Sequence, residues 1–141
     1  INVNAPPNVS EAYPCIDCLW PPNHKFVDVC IEGINDPEGD DFTVNITGIT
    51  SDENTSEIVG AGGPNHAPDA SGVGTDIASL RAECSGTGDG RVYEINFVAT
   101  DSNGAESEGS VFVVVPHDKR GPCPAPEEIN DGQMYDATAT N

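Results

Sequence analysis

Two sets of side chains in this sequence have the chemistry to hold a metal ion. The first is acidic. Asp36, Glu38, Asp40 and Asp41 crowd into the segment Asn35-Asp-Pro-Glu-Gly-Asp-Asp41, and Asp76 and Asp101 each border a strand-like stretch. Ca2+ takes about six to eight oxygen ligands from carboxylates, carbonyls and water. Carboxylates that a fold forces together repel one another unless a cation sits among them. The competing reading is that Asp, Asn and Gly here cap turns and satisfy backbone N–H groups. The spaced Asp/Asn pattern of an EF-hand is absent. The second set is His24, His117, Asp118 and Glu53, with Asp52 adjoining. Imidazoles with carboxylates suit Zn2+ or another transition metal. They equally suit a hydrogen-bonded network that pins the ends of the chain. His66, beside Asn65 and near Asp69, reads as a surface residue.

The cysteines are Cys15, Cys18, Cys30, Cys84 and Cys123. Cys15-x-x-Cys18 has no second C-x-x-C to complete a zinc ribbon. Leu19 stands where haem attachment needs a histidine. Cysteines in a small, acidic, turn-rich chain point to disulfides and an oxidising, extracellular setting. The number is odd, so at least one thiol is free or joins another chain.

The charge excludes several function classes. The chain has 141 residues with 24 Asp+Glu against 5 Lys+Arg, a formal charge of −19. Phosphate contacts need clustered Lys and Arg, so nucleic-acid binding does not fit, and docking on anionic lipid is disfavoured. No apolar run approaches the ~18 residues of a membrane helix. No basic stretch followed by an apolar one opens the chain, so any signal peptide is expected to have been removed already. Nor is there a Gly-x-Ser-x-Gly elbow, a His-Glu-x-x-His helix or a phosphate loop. Paired carboxylates carry little information in so acidic a chain, and the expectation is a protein that is not an enzyme.

The elements that must position these residues read as strands. In Lys25–Glu32, Val27, Val29 and Ile31 alternate with polar partners, a period of two. Phe42–Ile49, Ile77–Glu83 and Arg91–Thr100 alternate likewise, and Gly109–Val115 is apolar on both faces. Residues 54–76 show no period and predict a long loop, and no segment carries a 3.6-residue period. With 15 Gly and 12 Pro for turns, short strands of this kind argue an all-β antiparallel sandwich. Residues 1–18 and 121–141 read as N- and C-terminal arms outside a sandwich spanning 19–120.

The segments Leu19-Trp-Pro-Pro-Asn-His-Lys25, Gly72-Val-Gly-Thr-Asp76, Leu80-Arg-Ala-Glu83, Gly86-Thr-Gly-Asp-Gly-Arg-Val-Tyr93 and Val115-Pro-His-Asp118 resemble a family of bacterial extracellular modules. Asp-Pro-Glu-Gly-Asp40 and Ala99-Thr-Asp-Ser-Asn-Gly104 look like PKD-type and cadherin-like immunoglobulin-fold repeats. The likeness covers roughly residues 19–118. It implies an immunoglobulin-like sandwich with the five periodic segments as strands B, C, E, F and G, and with Tyr93 as a corner tyrosine bonded to backbone. In that topology Asp36, Glu38, Asp40, Asp41, Asp76 and Asp101 fall at one end as a Ca2+ site. His24, His117, Asp118 and Glu53 fall at the other. Strand B begins where strand G finishes, so a disulfide joining Cys123 to Cys15 or Cys18 is expected, with Cys30–Cys84 as the next candidate.

Modules of this type commonly bind calcium and join domains of secreted or surface proteins. The resulting expectation is a calcium-stabilised structural or adhesive module at the cell surface. Its partners would be neighbouring extracellular domains or other copies of itself, as in a filament whose arms add strands to neighbours. The alternative is a carbohydrate-binding accessory module of a secreted enzyme, with polysaccharide as partner. That role needs an exposed aromatic platform such as Trp20, and the chain has one Trp, three Tyr and four Phe.

Overall fold

The period-two segments form strands because each presents one apolar face that must be covered and one polar face that water can solvate. The computed structural model describes residues 5–20, 25–52, 70–82, 90–116, 133 and 135–137. Its strands are β1 (Tyr13–Pro14), β2 (Phe26–Glu32), β3 (Phe42–Ser51), β4 (Ala70–Ser71), β5 (Ile77–Arg81), β6 (Gly90–Asp101), β7 (Glu106–Pro116) and β8 (Tyr135–Asp136). No helix occurs among the described residues. Two antiparallel sheets result. One has the order β1-β2-β5-β4, and the other has β7-β6-β3 with the two-residue β8 added beyond β3.

The core lies between the sheets. Val29, Ala78 and Leu80 of the first meet Ile46, Ile49, Tyr93, Ile95, Phe97, Val111, Val113 and Val115 of the second. Two local adjustments make that packing possible. Ile46 and Ile49 are both buried although three residues apart, an odd spacing that a regular strand would send to opposite faces. A register shift between Ile46 and Gly48 restores Ile49 to the core, as a bulge does. Gly109 faces Phe97 across the β6–β7 ladder, and a Cβ there would meet the Phe97 ring at 2.7 Å. The missing side chain is the space the ring occupies.

The segment expected as an N-terminal arm lies on its own sandwich from Asn8 onward. Asn8 bridges Asn35, β1 pairs with β2, and Cys18 forms a parallel bridge with Val114 on β7. Leu19 N–H donates to Val114 O at 2.8 Å, and Val114 N–H donates to Asp17 O at 2.9 Å. The segment therefore pairs with the first sheet, crosses over, and pairs with the second. Part of the C-terminal arm also folds back, with Ala137 N–H on Ile49 O and Ala70 N–H on Ala137 O, both at 3.0 Å. Likewise β4 falls within the stretch expected as an aperiodic loop. These two-residue strands show no period because they are too short to have one.

Two of the expected disulfides are corrected, and the third, Cys18–Cys123, falls on a residue outside the described ones. Cys15 is bonded to Cys30 with Cα atoms 5.3 Å apart, so neither Cys15–Cys123 nor Cys30–Cys84 forms. The register explains it: Tyr13 faces Glu32 and Pro14 faces Ile31, so the next step along both strands sets Cys15 against Cys30. Cys18 is also disulfide-bonded; its partner, like Cys84 and Cys123, lies outside the described residues.

The two sheets are tied at one end by polar bonds. Tyr93 is fully buried. Its hydroxyl donates to Arg81 O at 2.8 Å and accepts from Arg91 Nη1 at 3.0 Å. β6 is thereby bonded to the end of β5 across the sandwich, the corner-tyrosine contact expected of Tyr93.

Two outcomes follow. Tyr93→Phe leaves the ring but strands the Arg81 carbonyl and an Arg91 N–H, and should cost about 1–3 kcal/mol in denaturant unfolding. Peptide mapping without reduction should recover Cys15 linked to Cys30. Removing that bond with Cys15→Ser/Cys30→Ser, at a separation of 15 residues, should cost about 3 kcal/mol.

Candidate metal centre

The acidic loop is built on a local turn. Asp36-Pro-Glu-Gly39 has the residue order a type I turn prefers, with Asp first, Pro second and Gly fourth. Gly39 adopts φ +72° and donates its N–H to Asp36 O at 3.0 Å. Asp36 Oδ1 accepts from Glu38 N–H at 2.9 Å and from Asp40 N–H at 3.2 Å. The chain thus coils around one carboxylate. Asp36, Glu38 and Asp40 each offer an oxygen, and these oxygens lie within 4.8 Å of one another. Two oxygens on opposite sides of a Ca2+ at about 2.4 Å are about 4.8 Å apart, so one ion can touch all three.

A second observation singles out Asp36. The residue is 5% exposed, and its Oδ2 is buried without a hydrogen-bond partner. Burying a charged oxygen with nothing to balance it is costly unless a cation or donor meets it. The β6–β7 turn provides the comparison. Asp101 is equally buried and caps its turn in the same way, with Oδ1 accepting from Asn103 N–H and Ala105 N–H at 2.9 Å. The two turns are cross-linked: Asn103 Nδ2 donates to Asp40 Oδ2 at 3.1 Å, and Ser102 N–H to Asp41 O at 2.9 Å.

Among the described residues the charge distribution favours a cation here. Lys25 and Arg81 flank one end of the β2–β5 pair, and Arg91 starts β6. The acidic loop follows the other end of β2, a seven-residue strand, hence ~20 Å away. That exceeds a Debye length of about 8–10 Å, so these positive charges do little for the loop.

Of the six residues expected to bind calcium, Asp36, Glu38 and Asp40 come together. Asp41, Asp76 and Asp101 share the same end but lie outside the cluster. Asp101 serves its turn, Asp41 contributes its carbonyl to Ser102, and Asp76 is exposed next to β5. His24, Glu53, His117 and Asp118 lie outside the described residues. Asp52 is buried with Oδ1 accepting from Val92 N–H at 2.8 Å. Two participants carried no sequence signal as such. Asn103 reaches Asp40, and the backbone N–H of Ala5 donates to Glu38 Oε1 at 2.9 Å. Asn103 was legible only as a turn residue, and Ala5 contacts a residue 33 positions away. No protein-family model, curated protein or solved structure matches the chain.

Asp36→Asn retains one turn-capping oxygen while removing the charge. It should abolish most of the melting-temperature gain on adding Ca2+ and change the melting temperature in chelator little. Asp76→Asn, with the same loss of charge outside the cluster, should leave the gain in place; differential scanning calorimetry of both variants checks this.

Proposed function

We propose that this chain is an extracellular, calcium-stabilised structural module of immunoglobulin-like topology that is not an enzyme and serves in a surface or adhesive assembly. The observation that carries the reading is the cluster of Asp36, Glu38 and Asp40 carboxylates, together with the buried, unpartnered Oδ2 of Asp36. Oxygen-only ligands on a turn suit Ca2+ better than a transition metal. The immunoglobulin-like assignment is supported by strand order: β1-β2-β5-β4 against β7-β6-β3 follows the A-B-E-D and G-F-C order of such sandwiches. The Tyr93 hydroxyl on the Arg81 carbonyl supports it independently. An oxidising, extracellular location is supported by the Cys15–Cys30 bond. Neighbouring domains or further copies of the chain are the partners this reading calls for, with calcium relieving the repulsion between acidic surfaces.

A second reading, a carbohydrate-binding accessory module, draws on one feature. A cavity of about 140 Å³ beside the acidic end is lined by Asp41, Phe42, Thr43, Thr100, Asp101 and Ser102. Phe42, 36% exposed, offers a sugar a stacking face, with hydroxyls and carboxylates around it. Trp20, exposed elsewhere on the surface, is a second platform.

Native mass spectrometry and calorimetric melting in Ca2+ and in chelator test the first reading. One bound ion should accompany a rise in stability of about 2.7 kcal/mol at a hundredfold excess over Kd; an identical melting temperature in both conditions refutes it. Binding to polysaccharide in affinity electrophoresis, lost on Phe42→Ala, would decide for the second.

A further inference from the structure

The acidic loop touches the N-terminal segment as well as its own turn. Ala5 N–H donates to Glu38 Oε1 at 2.9 Å. Pro7 is buried. Asn8 and Asn35 exchange backbone bonds in both directions, at 2.6 Å and 3.1 Å. Asn35 is the residue immediately before Asp36, so the chain that presents the carboxylates also holds residues 5–8 in place.

We infer that cation binding at Asp36, Glu38 and Asp40 clamps residues 5–8 onto the sandwich, and that removing the cation releases them. The inference rests on the calcium reading above and names what the ion regulates. Glu38 is exposed and has two oxygens, so Oε1 can keep the Ala5 N–H while Oε2 turns to the ion. Without an ion, three carboxylates whose oxygens lie within 4.8 Å of one another repel. Asp36 is held by two backbone N–H groups and Asp40 by Asn103. Glu38 is the member free to swing away, and in doing so it leaves Ala5. The covalent tether nearest the chain start among the described residues is at Cys15, so residues 5–14 can detach as far as that point. Binding at the loop and docking of the segment are therefore linked, and linkage is reciprocal: whatever weakens docking weakens the ion by the same factor.

The test uses the intact chain. Hydrogen–deuterium exchange over residues 5–12 should slow about fivefold or more in Ca2+ relative to chelator, reading the amides of Asn8 and Ala12. Ala5→Pro removes the N–H that Glu38 accepts without touching a ligand, and should lower Ca2+ affinity in isothermal titration calorimetry by about fivefold. Asn8→Pro, which removes the N–H that donates to Asn35 O and leaves the return bond from Asn35 N–H, should act in the same direction, with its melting temperature in chelator confirming that it folds. If Ca2+ binds the wild type but exchange over residues 5–12 is unchanged and both variants keep wild-type affinity, the clamp is overturned and the calcium reading stands. If no Ca2+ binds, the calcium reading falls and the clamp falls with it.

Discussion

How the sheet edges are closed governs this structure, because an acidic chain with a modest core has little else to resist fraying or unwanted pairing. An exposed edge offers unpaired N–H and C=O groups to any passing strand. Here one short segment closes an edge of each sheet. β1 lies along β2, and residues 17–19 lie along the outer edge of β7. The passage between them is fixed by Cys15, whose N–H donates to Cys30 O at 2.9 Å and whose sulfur is bonded to Cys30. The opposite edge is treated similarly. Ala137 bonds to Ile49 of one sheet and Ala70 of the other, and the turn at Gly74 and Thr75 exchanges bonds with Ile46. Edge closure also carries residues 5–8 over the acidic loop, so the architecture and the candidate site share one cause.

The two ends of the sandwich solve opposite electrostatic problems. At one end a fully buried Arg91 donates to the Tyr93 hydroxyl, which passes a hydrogen bond on to the Arg81 carbonyl. A buried polar group whose partners are all in place specifies geometry strongly. At the other end the same turn device is used twice, around Asp36 and around Asp101. In each case a carboxylate oxygen accepts two backbone N–H groups. Asp36 differs in that its second oxygen meets no donor and two further carboxylates stand beside it. A turn that needed only a cap would need neither feature. That difference marks the Asp36 loop, and not the Asp101 turn, as the candidate site.

Five strands and both tight turns were legible in the sequence. β2, β3, β5, β6 and β7 reveal themselves because alternation of apolar and polar residues is the condition for covering one sheet face and wetting the other. The turns after Asp36 and Asp101 are legible because Pro and Gly restrict or free the backbone locally, whatever lies elsewhere. That the acidic loop, Asp76 and Asp101 share one end of the sandwich followed in the sequence only from the resemblance to immunoglobulin-like modules.

Tertiary structure decided the rest. β1, β4 and β8 are strands only because a distant edge supplies their hydrogen-bond partners. Cys15 faces Cys30 only because β1 falls in that register with β2; composition and spacing left several pairings open. The selection of Asp36, Glu38 and Asp40 from six acidic candidates, and the isolation of the Asp36 Oδ2 oxygen, depend on how side chains from separate loops meet at ångström distances. Alternation and turn preference belong to residues a few positions apart. Pairing, burial and the balance of charge belong to residues brought together by the fold.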